Sequence, residues 1–218
     1  MKVEIKKKSW NDITISDYRK IKEITDREFD SELEKGIAIL SVLCGVDEDD
    51  VYSLPINQLK SLLDGITWIY EPYSFDKNWK ADSLTINGEK YDIVADINKF
   101  TVAQYADFQI YWDKRDDIDY MAKVLSCFII PKGKVYNDGY DVVELIDILE
   151  NNISINVWNS VCFFFLKDLL LSIKASLYCS LWVTMKMIWK EKNKEKRKEL
   201  KEMRKKLMTQ IRTFSSYR

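Results

Sequence analysis

The chain has 218 residues, of which 46% are hydrophobic and 32% charged, which is a globular composition rather than a disordered one. It contains no histidine, and this excludes Ser-His-Asp and Cys-His catalysis and histidine-ligated metal sites. The formal charge of −1 hides an asymmetry. Residues 190–212 carry eleven Lys and Arg against four Glu, a net charge of +7, so the remainder carries −8. Such a basic segment on an acidic body is typical of chains that bind acidic partners.

The N-terminal part is predicted to be an arm followed by a small helical unit. Residues 1–15 alternate weakly between apolar and polar side chains, which predicts an arm or an edge strand. Ser16 is a candidate N-cap for a first helix with apolar residues at helical spacing. Further helix signals follow closely, so residues 16–70 are predicted to form a unit of three or four helices.

These further signals are caps and breakers. The capping-box residues Ser31 and Glu34 open the second predicted helix, and Gly45 closes it. Asp47 is placed to cap a short third helix, and Pro55 suits the first turn of a fourth.

Residues 71–155 are predicted to contain one β-hairpin followed by helices. Asn87 and Gly88 form the pair that a type I′ turn prefers, because both central residues need a positive φ. Alternating apolar residues flank this pair on both sides. Because an isolated hairpin is only marginally stable, we expect it to pack on helices or to pair with another strand, such as the N-terminal arm.

Three helices are predicted between the hairpin and residue 156. Thr101 and Gln104 form a second capping box, which opens a helix that runs to about Trp112. Apolar residues at helical spacing predict another helix that continues up to Pro131. Residues 141–150 are amphipathic and predict the third.

Residues 156–218 are predicted to form one long helix, because no Gly or Pro interrupts them. The first half, to about Trp189, is apolar on most sides, which indicates burial against other elements or other copies of the chain. The second half is charged on all sides, which is typical of an exposed helix. A membrane span is not favoured, since charged residues interrupt the apolar half: Lys167, Asp168, Lys174 and Lys186.

Small polar residues recur at intervals of four along the apolar half of this helix. Two interpretations are open. The stripe either lets another helix approach closely, or it is the less buried side of a core helix. Its members are Asp168, Ser172, Ser176, Ser180 and Thr184.

The basic half carries two candidate binding features. An apolar seam with spacings of 3, 4, 4 and 3 predicts a coiled-coil-like docking stripe for a protein partner, formed by Leu200, Met203, Leu207, Ile211 and Phe214. Clustered basic residues are candidates for phosphate contacts: Lys196, Arg197, Lys201, Arg204 and Lys205. Glutamates spaced for intrahelical pairs, such as Glu195 with Lys198 and Glu202 with Lys206, favour the protein partner over nucleic acid.

The sequence contains few other patterns typical of catalytic or ligand-binding sites. The four cysteines form no CxxC pair and lie in apolar runs, which predicts buried free thiols in a reducing compartment. The six glycines form no phosphate-binding motif. Two acidic clusters, residues 48–50 and 113–119, lack EF-hand spacing, and we interpret them as helix caps or solvated surface rather than a metal or carboxylate-dyad site.

Three segments carry a resemblance to a known group of proteins: ITISDYRKIKEI, IAILSVLCGVDEDDVYSLPINQLKSLL and LTINGEKYDIVADINKFTVAQYADFQIY. Their order and length resemble small tailed-bacteriophage proteins, notably tail assembly chaperone-like ones, over about residues 13–150. The Lys, Ile, Asn, Tyr and Asp usage is similar to that of AT-rich genomes of crAss-like phages. The resemblance implies no catalytic residues. The long basic C-terminal helix departs from the usual chaperone and suits a virion component that docks between subunits.

The sequence therefore predicts a mainly α protein with minor β structure, a helical bundle with one β-hairpin and a long C-terminal helix. The leading hypothesis is a non-enzymatic phage structural or assembly protein without a cofactor, which contacts other phage structural proteins as a homo- or hetero-oligomer. Without a signal peptide, its expected location is the virion or the host cytoplasm. The alternatives are a nucleic-acid-binding accessory protein using the basic helix, and an enzyme with a carboxylate site near Asp113 to Asp119.

Overall fold

A computed structural model describes residues 3–71, 81–94, 96, 99–114, 117, 119–190 and 193–216, with side chains left undescribed at 166–176, 189–190 and 213–216. Within these residues the chain forms nine α-helices, one 3-10 helix and a three-stranded antiparallel sheet. The prediction of a mainly α fold with minor β structure is confirmed. The chain divides into two compact units, Met1–Phe163 and Phe164–Arg218.

The first unit begins with a run of short helices that pack on one another. Helices α1 and α2 contact each other, and α2 also contacts α3 and α4. Their bounds are α1 Ile15–Asp26, α2 Glu32–Cys44, α3 Glu48–Tyr52, α4 Ile56–Gly65 and a 3-10 helix Thr67–Tyr70.

The caps of these helices follow local chemistry only in part. Asp47 precedes α3 but makes no side-chain cap bond, and Pro55 precedes α4 rather than standing in its first turn. Thr14, rather than Ser16, is the N-cap of α1. Its hydroxyl accepts from the Asp17 backbone N–H at 3.2 Å, and the Asp17 carboxylate accepts from the Thr14 N–H at 3.1 Å. This reciprocal capping box satisfies donors that Ser16 could not reach from inside the helix. At α2 the Ser31 N-cap and the Gly45 cap are confirmed, because the Ser31 hydroxyl accepts from the Glu34 N–H and Gly45 has a φ of 63°. Of the predicted capping box, only this Ser31 half forms.

The predicted hairpin is confirmed as strands β1 (Ser83–Ile86) and β2 (Glu89–Ile93). Asn87 and Gly88 have φ values of 51° and 86°, the left-handed region that a type I′ turn needs. The sheet's third strand is β3 (Ile129–Pro131), which pairs with β2, so the sheet does not use the N-terminal arm.

Strand β3 corrects the helix predicted up to Pro131. Helix α6 (Tyr120–Ser126) ends before it, and Phe128 lies between the two elements, where its carbonyl accepts from the Val94 N–H at 2.7 Å. The β-branched Ile129 and Ile130 are buried on the sheet, and this tertiary context overrides the helical spacing.

Helices α5 (Val102–Asp113) and α7 (Val142–Asn152) complete this part of the first unit. The predicted Thr101–Gln104 capping box is confirmed. The Gln104 side-chain amide also donates to the Cys127 carbonyl at 2.7 Å, so one buried side chain caps α5 and joins it to the end of α6. Helix α7 contacts both α6 and α1, which places the predicted divisions 16–70 and 71–155 in one packed unit.

The N-terminal segment joins this unit through backbone hydrogen bonds. The Lys6 and Lys7 N–H groups donate to the Leu43 carbonyl, at 3.2 and 3.3 Å. Thr14 then forms an isolated antiparallel bridge with Ser154. Within residues 3–13 the structure assigns no strand, so the predicted arm is a hydrogen-bonded extension rather than an edge strand.

The prediction of one unbroken helix over residues 156–218 is wrong. Helix α8 covers Ile155–Lys190, and a separate helix, α9, covers Lys194–Ser216. Asn193 starts α9 because its side-chain oxygen accepts from the Glu195 and Lys196 N–H groups, at 2.9 and 3.3 Å. Asparagine favours such N-cap bonds over helix interiors. Among the described residues, no helix is long and apolar enough to cross a membrane.

The hairpin turn gives a stability prediction. Gly88 has open space around it, so Gly88→Ala adds only the strain of a side chain at φ 86°. We expect a loss of ~1–2 kcal/mol in the free energy of unfolding, measured by urea denaturation. The matched control Asn87→Gly keeps a residue that tolerates positive φ and should change stability far less. Equal stability of Gly88→Ala and the wild type would contradict the turn geometry.

Candidate interaction surface

The second unit exposes a set of large apolar side chains on α8. Among the described residues of this helix, Trp182 is 59% exposed and Met187 is 52% exposed. We call this set the α8 apolar face; its members are Tyr178, Trp182, Val183, Met185 and Met187.

The opposite side of the same stretch is covered. Thr184 is 3% exposed and Ile188 is 6% exposed, and residues four apart lie on one side of a helix. A surface helix ordinarily turns polar residues to solvent when one side is covered. On α8 the uncovered directions are instead mostly apolar, so the exposed side has the composition of a contact surface.

One cation lies on the α8 apolar face. The Lys186 ammonium nitrogen is 3.5 Å from the centroid of the Trp182 ring. A cation over an indole face is attracted by the ring quadrupole, with about 0.5–1 kcal/mol at an exposed site. The face therefore combines an aromatic anchor with a positive charge.

The stripe of small polar residues is placed only in part. Thr184 is buried, and its hydroxyl donates to the Ser180 carbonyl at 2.8 Å, while Ser180 itself is exposed. The side chains of Asp168, Ser172 and Ser176 lie outside the described residues. Thr184 thus lies on the covered side and Ser180 on the uncovered side, so both interpretations of the stripe stay open.

The predicted α9 seam is partly covered by the chain itself. Ile211 is 5% exposed, Leu200 and Leu207 are half-buried, and Met203 is 53% exposed. The Phe214 side chain lies outside the described residues. Partner binding by the seam remains a prediction, and more apolar surface is free on α8 than on the described part of the seam.

The five candidate phosphate contacts are all exposed, namely Lys196, Arg197, Lys201, Arg204 and Lys205. Of the interleaved glutamates, Glu202 accepts a hydrogen bond from the Lys205 ammonium at 2.8 Å. This bond lowers the pKa of Glu202. The sequence predicted Lys206 as its partner, and the structure places Lys205, one residue earlier, on the carboxylate.

The division into two units is also a division of charge. The first unit has 19 basic and 30 acidic residues, a net charge of −11, and the second has 15 basic and 5 acidic residues, a net charge of +10. This separation is sharper than the sequence boundary at residue 190 suggested. The α8 apolar face therefore belongs to a strongly basic unit.

The acidic cluster near α6 has a structural role at Asp119. Its carboxylate accepts from the Arg19 guanidinium at 2.7 Å, and Arg19 also pairs with Glu150 at 2.5 Å, which ties α1 to α7 and to the start of α6. Asp116 lies outside the described residues. In the described part of the chain, no three His, Cys, Asp or Glu side chains are placed to hold a metal ion.

Two cavities, of about 530 and 550 Å³, open on the first unit. Lys7 and Asp17 line the first and form an ion pair with each other. The second is lined by uncharged residues, including Asn11, Thr85 and Ser154.

The described cysteines are free thiols, and three of them are buried. Burial raises the pKa of Cys127 to about 12 and also raises the pKa values of Cys44 and Cys162. The Cys127 sulfur is 3.8 Å from the Tyr136 hydroxyl, which donates to Asp107 at 2.9 Å. Because the folded pKa of Cys127 is above its ordinary value of 9.0, its contribution to stability is present below pH 9 and is lost as the pH rises towards about 12.

No family model, no curated protein and no solved structure matches the chain. The sequence resemblance to phage proteins is therefore not supported by these comparisons. The surface features of the two units carry the functional interpretation.

The thiols give a labelling prediction. At pH 8 the native protein should react rapidly with an aromatic disulfide reagent at Cys179 alone, because Cys179 is exposed and the other thiols are buried and protonated. The readout is the absorbance of the released thiolate. Cys179→Ser should remove the fast phase, and guanidinium should then expose the remaining three thiols. A second fast thiol in the native protein would contradict the burial of the others.

Proposed function

We propose that the protein is a non-enzymatic bacteriophage structural or assembly protein that acts through helical protein–protein contacts. It would serve as a tail or virion component or as a tail-assembly chaperone-like protein, in the virion or the host cytoplasm. The observation that carries the protein-contact part is the α8 apolar face, with Trp182 and its apolar neighbours exposed on one helix.

The size and composition of this face favour a protein contact. Five side chains that are 40–59% exposed present on the order of 500 Å² of largely apolar surface, taking 150–250 Å² for a full aromatic side chain. The largest apolar patch on a typical monomer covers about 300–600 Å² and is often functional. Tryptophan and tyrosine are also the residue types that most often dominate binding energy at interfaces.

The phage setting depends on the sequence resemblance over residues 13–150. That resemblance supplies the class of partner, other phage structural proteins. The local features on which it depends are real elements of the fold, namely helix α2, the Asn87–Gly88 hairpin and the Thr101-capped helix α5.

A second candidate function is supported by the surface of α9. Lys196, Arg197, Lys201, Arg204 and Lys205 are exposed on one helix and would suit phosphate contacts of a nucleic acid. The Lys205–Glu202 ion pair uses one of these cations internally. Protein contact remains the leading proposal because phosphate contacts on α9 would leave the aliphatic part of the α8 apolar face, Val183, Met185 and Met187, without a role.

Co-purification with phage particles tests the leading proposal. The tagged full chain is produced during infection by the phage that encodes it, and particles and assembly intermediates are purified and identified by mass spectrometry. We expect the wild type to co-purify, and Met187→Ser to reduce its recovery several-fold. Met203→Ser is the matched control, because Met203 has the same chemistry and exposure but lies on α9.

The outcomes of this experiment separate the two surfaces. Loss with Met203→Ser and not with Met187→Ser would transfer the contact to the α9 seam. A chain that never associates with particles or intermediates would overturn the proposal.

The nucleic-acid alternative is tested by titration against salt. On the leading proposal, the purified full chain should show no saturable binding to a 20-base-pair DNA at physiological salt, measured by fluorescence anisotropy. Affinity that falls steeply with salt, and that is lost in a variant with Lys201→Gln and Arg204→Gln, would instead establish phosphate binding by α9. Lys90→Gln on strand β2 is the control for loss of one positive charge elsewhere.

A further inference from the structure

The first unit carries a second uncovered apolar surface, on helix α5. Gln104 and Phe108 are buried on one side of α5, and Val102, on the other side, is 88% exposed. Positions 102, 106, 109 and 113, spaced four, three and four apart, continue this outward side to the acidic end of the helix, with the polar Gln109 among them and Tyr105 and Ile110 at its two edges. We call it the α5 outer face; its members are Val102, Tyr105, Ile110 and Asp113, all exposed.

The α5 outer face and the α8 apolar face differ in charge in a complementary way. The α5 face ends at Asp113 and lies on a unit with a net charge of −11. The α8 face holds Lys186 over Trp182 and lies on a unit with a net charge of +10. Both faces are exposed in the same chain, so each copy presents one apolar face on an acidic unit and one on a basic unit.

Pairing of like faces is disfavoured by this arrangement. Two α8 faces in contact would bring two basic units together, and two α5 faces would bring together two acidic ones. Charges within about 8 Å of each other are only partly screened at physiological salt, so groups around such a contact would repel. Like-charge juxtaposition across an interface selects against such partners.

We propose that the α8 apolar face of one copy docks on the α5 outer face of a second copy. This inference depends on the proposed function and names the partner in it. The two faces together present on the order of 800 Å² of apolar side-chain surface, enough for the apolar part of a standard-sized interface. Because two different faces meet, each copy keeps one free face, and repeated docking builds a ring or an open chain.

Complementation between two variants tests this docking. Trp182→Ser with Met187→Ser damages the α8 face, and Val102→Ser with Ile110→Ser damages the α5 face. Sedimentation velocity of the full chain at 1–100 µM should show wild-type association that increases with concentration and weakens with salt. Each double variant alone should be monomeric, and an equimolar mixture should form a dimer and nothing larger, because only one intact pair of faces remains.

Three further variants support the experiment. Met203→Ser should associate as the wild type does, because it removes an exposed methionine outside both faces. Circular dichroism verifies the fold of each variant. If a double variant does not fold, Lys186→Glu and Asp113→Lys take its place, each weakening association alone and restoring it when the two proteins are mixed.

The outcomes distinguish this inference from the proposed function. If the α8 variant is monomeric and the α5 variant associates like the wild type, the second copy is not bound through α5 and the inference is overturned, while the proposed function stands. A wild type that is monomeric at every concentration also overturns the inference, and co-purification with particles then decides the proposed function separately. If both variants are monomeric and their mixture is also monomeric, head-to-tail docking is excluded.

Discussion

The first unit depends on a short backbone bridge between residues 13–15 and 153–155, which lie 140 positions apart in the chain. The Ile15 N–H donates to the Ile153 carbonyl at 3.0 Å, and the Ile155 N–H donates to the Ile13 carbonyl at 2.8 Å. The paired residues Thr14 and Ser154 precede α1 and α8 directly, and their hydroxyls accept from the N–H groups of the first turns. One pairing therefore sets the start of two helices and buries four isoleucines around it.

Helix α8 begins at this bridge, and the burial of its apolar side chains changes along its length. Ile155, Trp158 and Val161 are buried in the first unit, and the Trp158 ring N–H donates to the Met121 carbonyl at 3.1 Å. From Tyr178 to Met187 the helix belongs to the second unit and keeps only one covered side. The same apolar composition thus serves as core at one end and as exposed surface at the other, because burial depends on neighbours rather than on the helix itself.

The sequence correctly predicted turns and helix caps that depend only on neighbouring residues. Asn87–Gly88, the Thr101–Gln104 box and Gly45 each act within a few residues, and the structure confirms all three. Strand β3 and the Thr14–Ser154 bridge depend on partners far away in the chain, so no window of sequence contains their cause. The helix break at Asn193 also has a local cause, because asparagine favours N-cap hydrogen bonds over helix interiors. The prediction of an unbroken helix gave more weight to the absence of Gly and Pro, and it was therefore wrong.

The candidate surface was the least predictable part, for a physical reason. Periodicity shows that α8 is apolar on several sides, but which side is covered depends on the neighbours of Thr184 and Ile188. Burial of the small Thr184 leaves the bulky Trp182 outside, the reverse of what side-chain size alone favours. Hydrophobic contact is non-directional and does not by itself select one apolar surface over another. A net charge of +10 does select, because it disfavours contact with other basic surfaces. The exposed apolar area of α8 and the net charge are thus separate properties of the second unit.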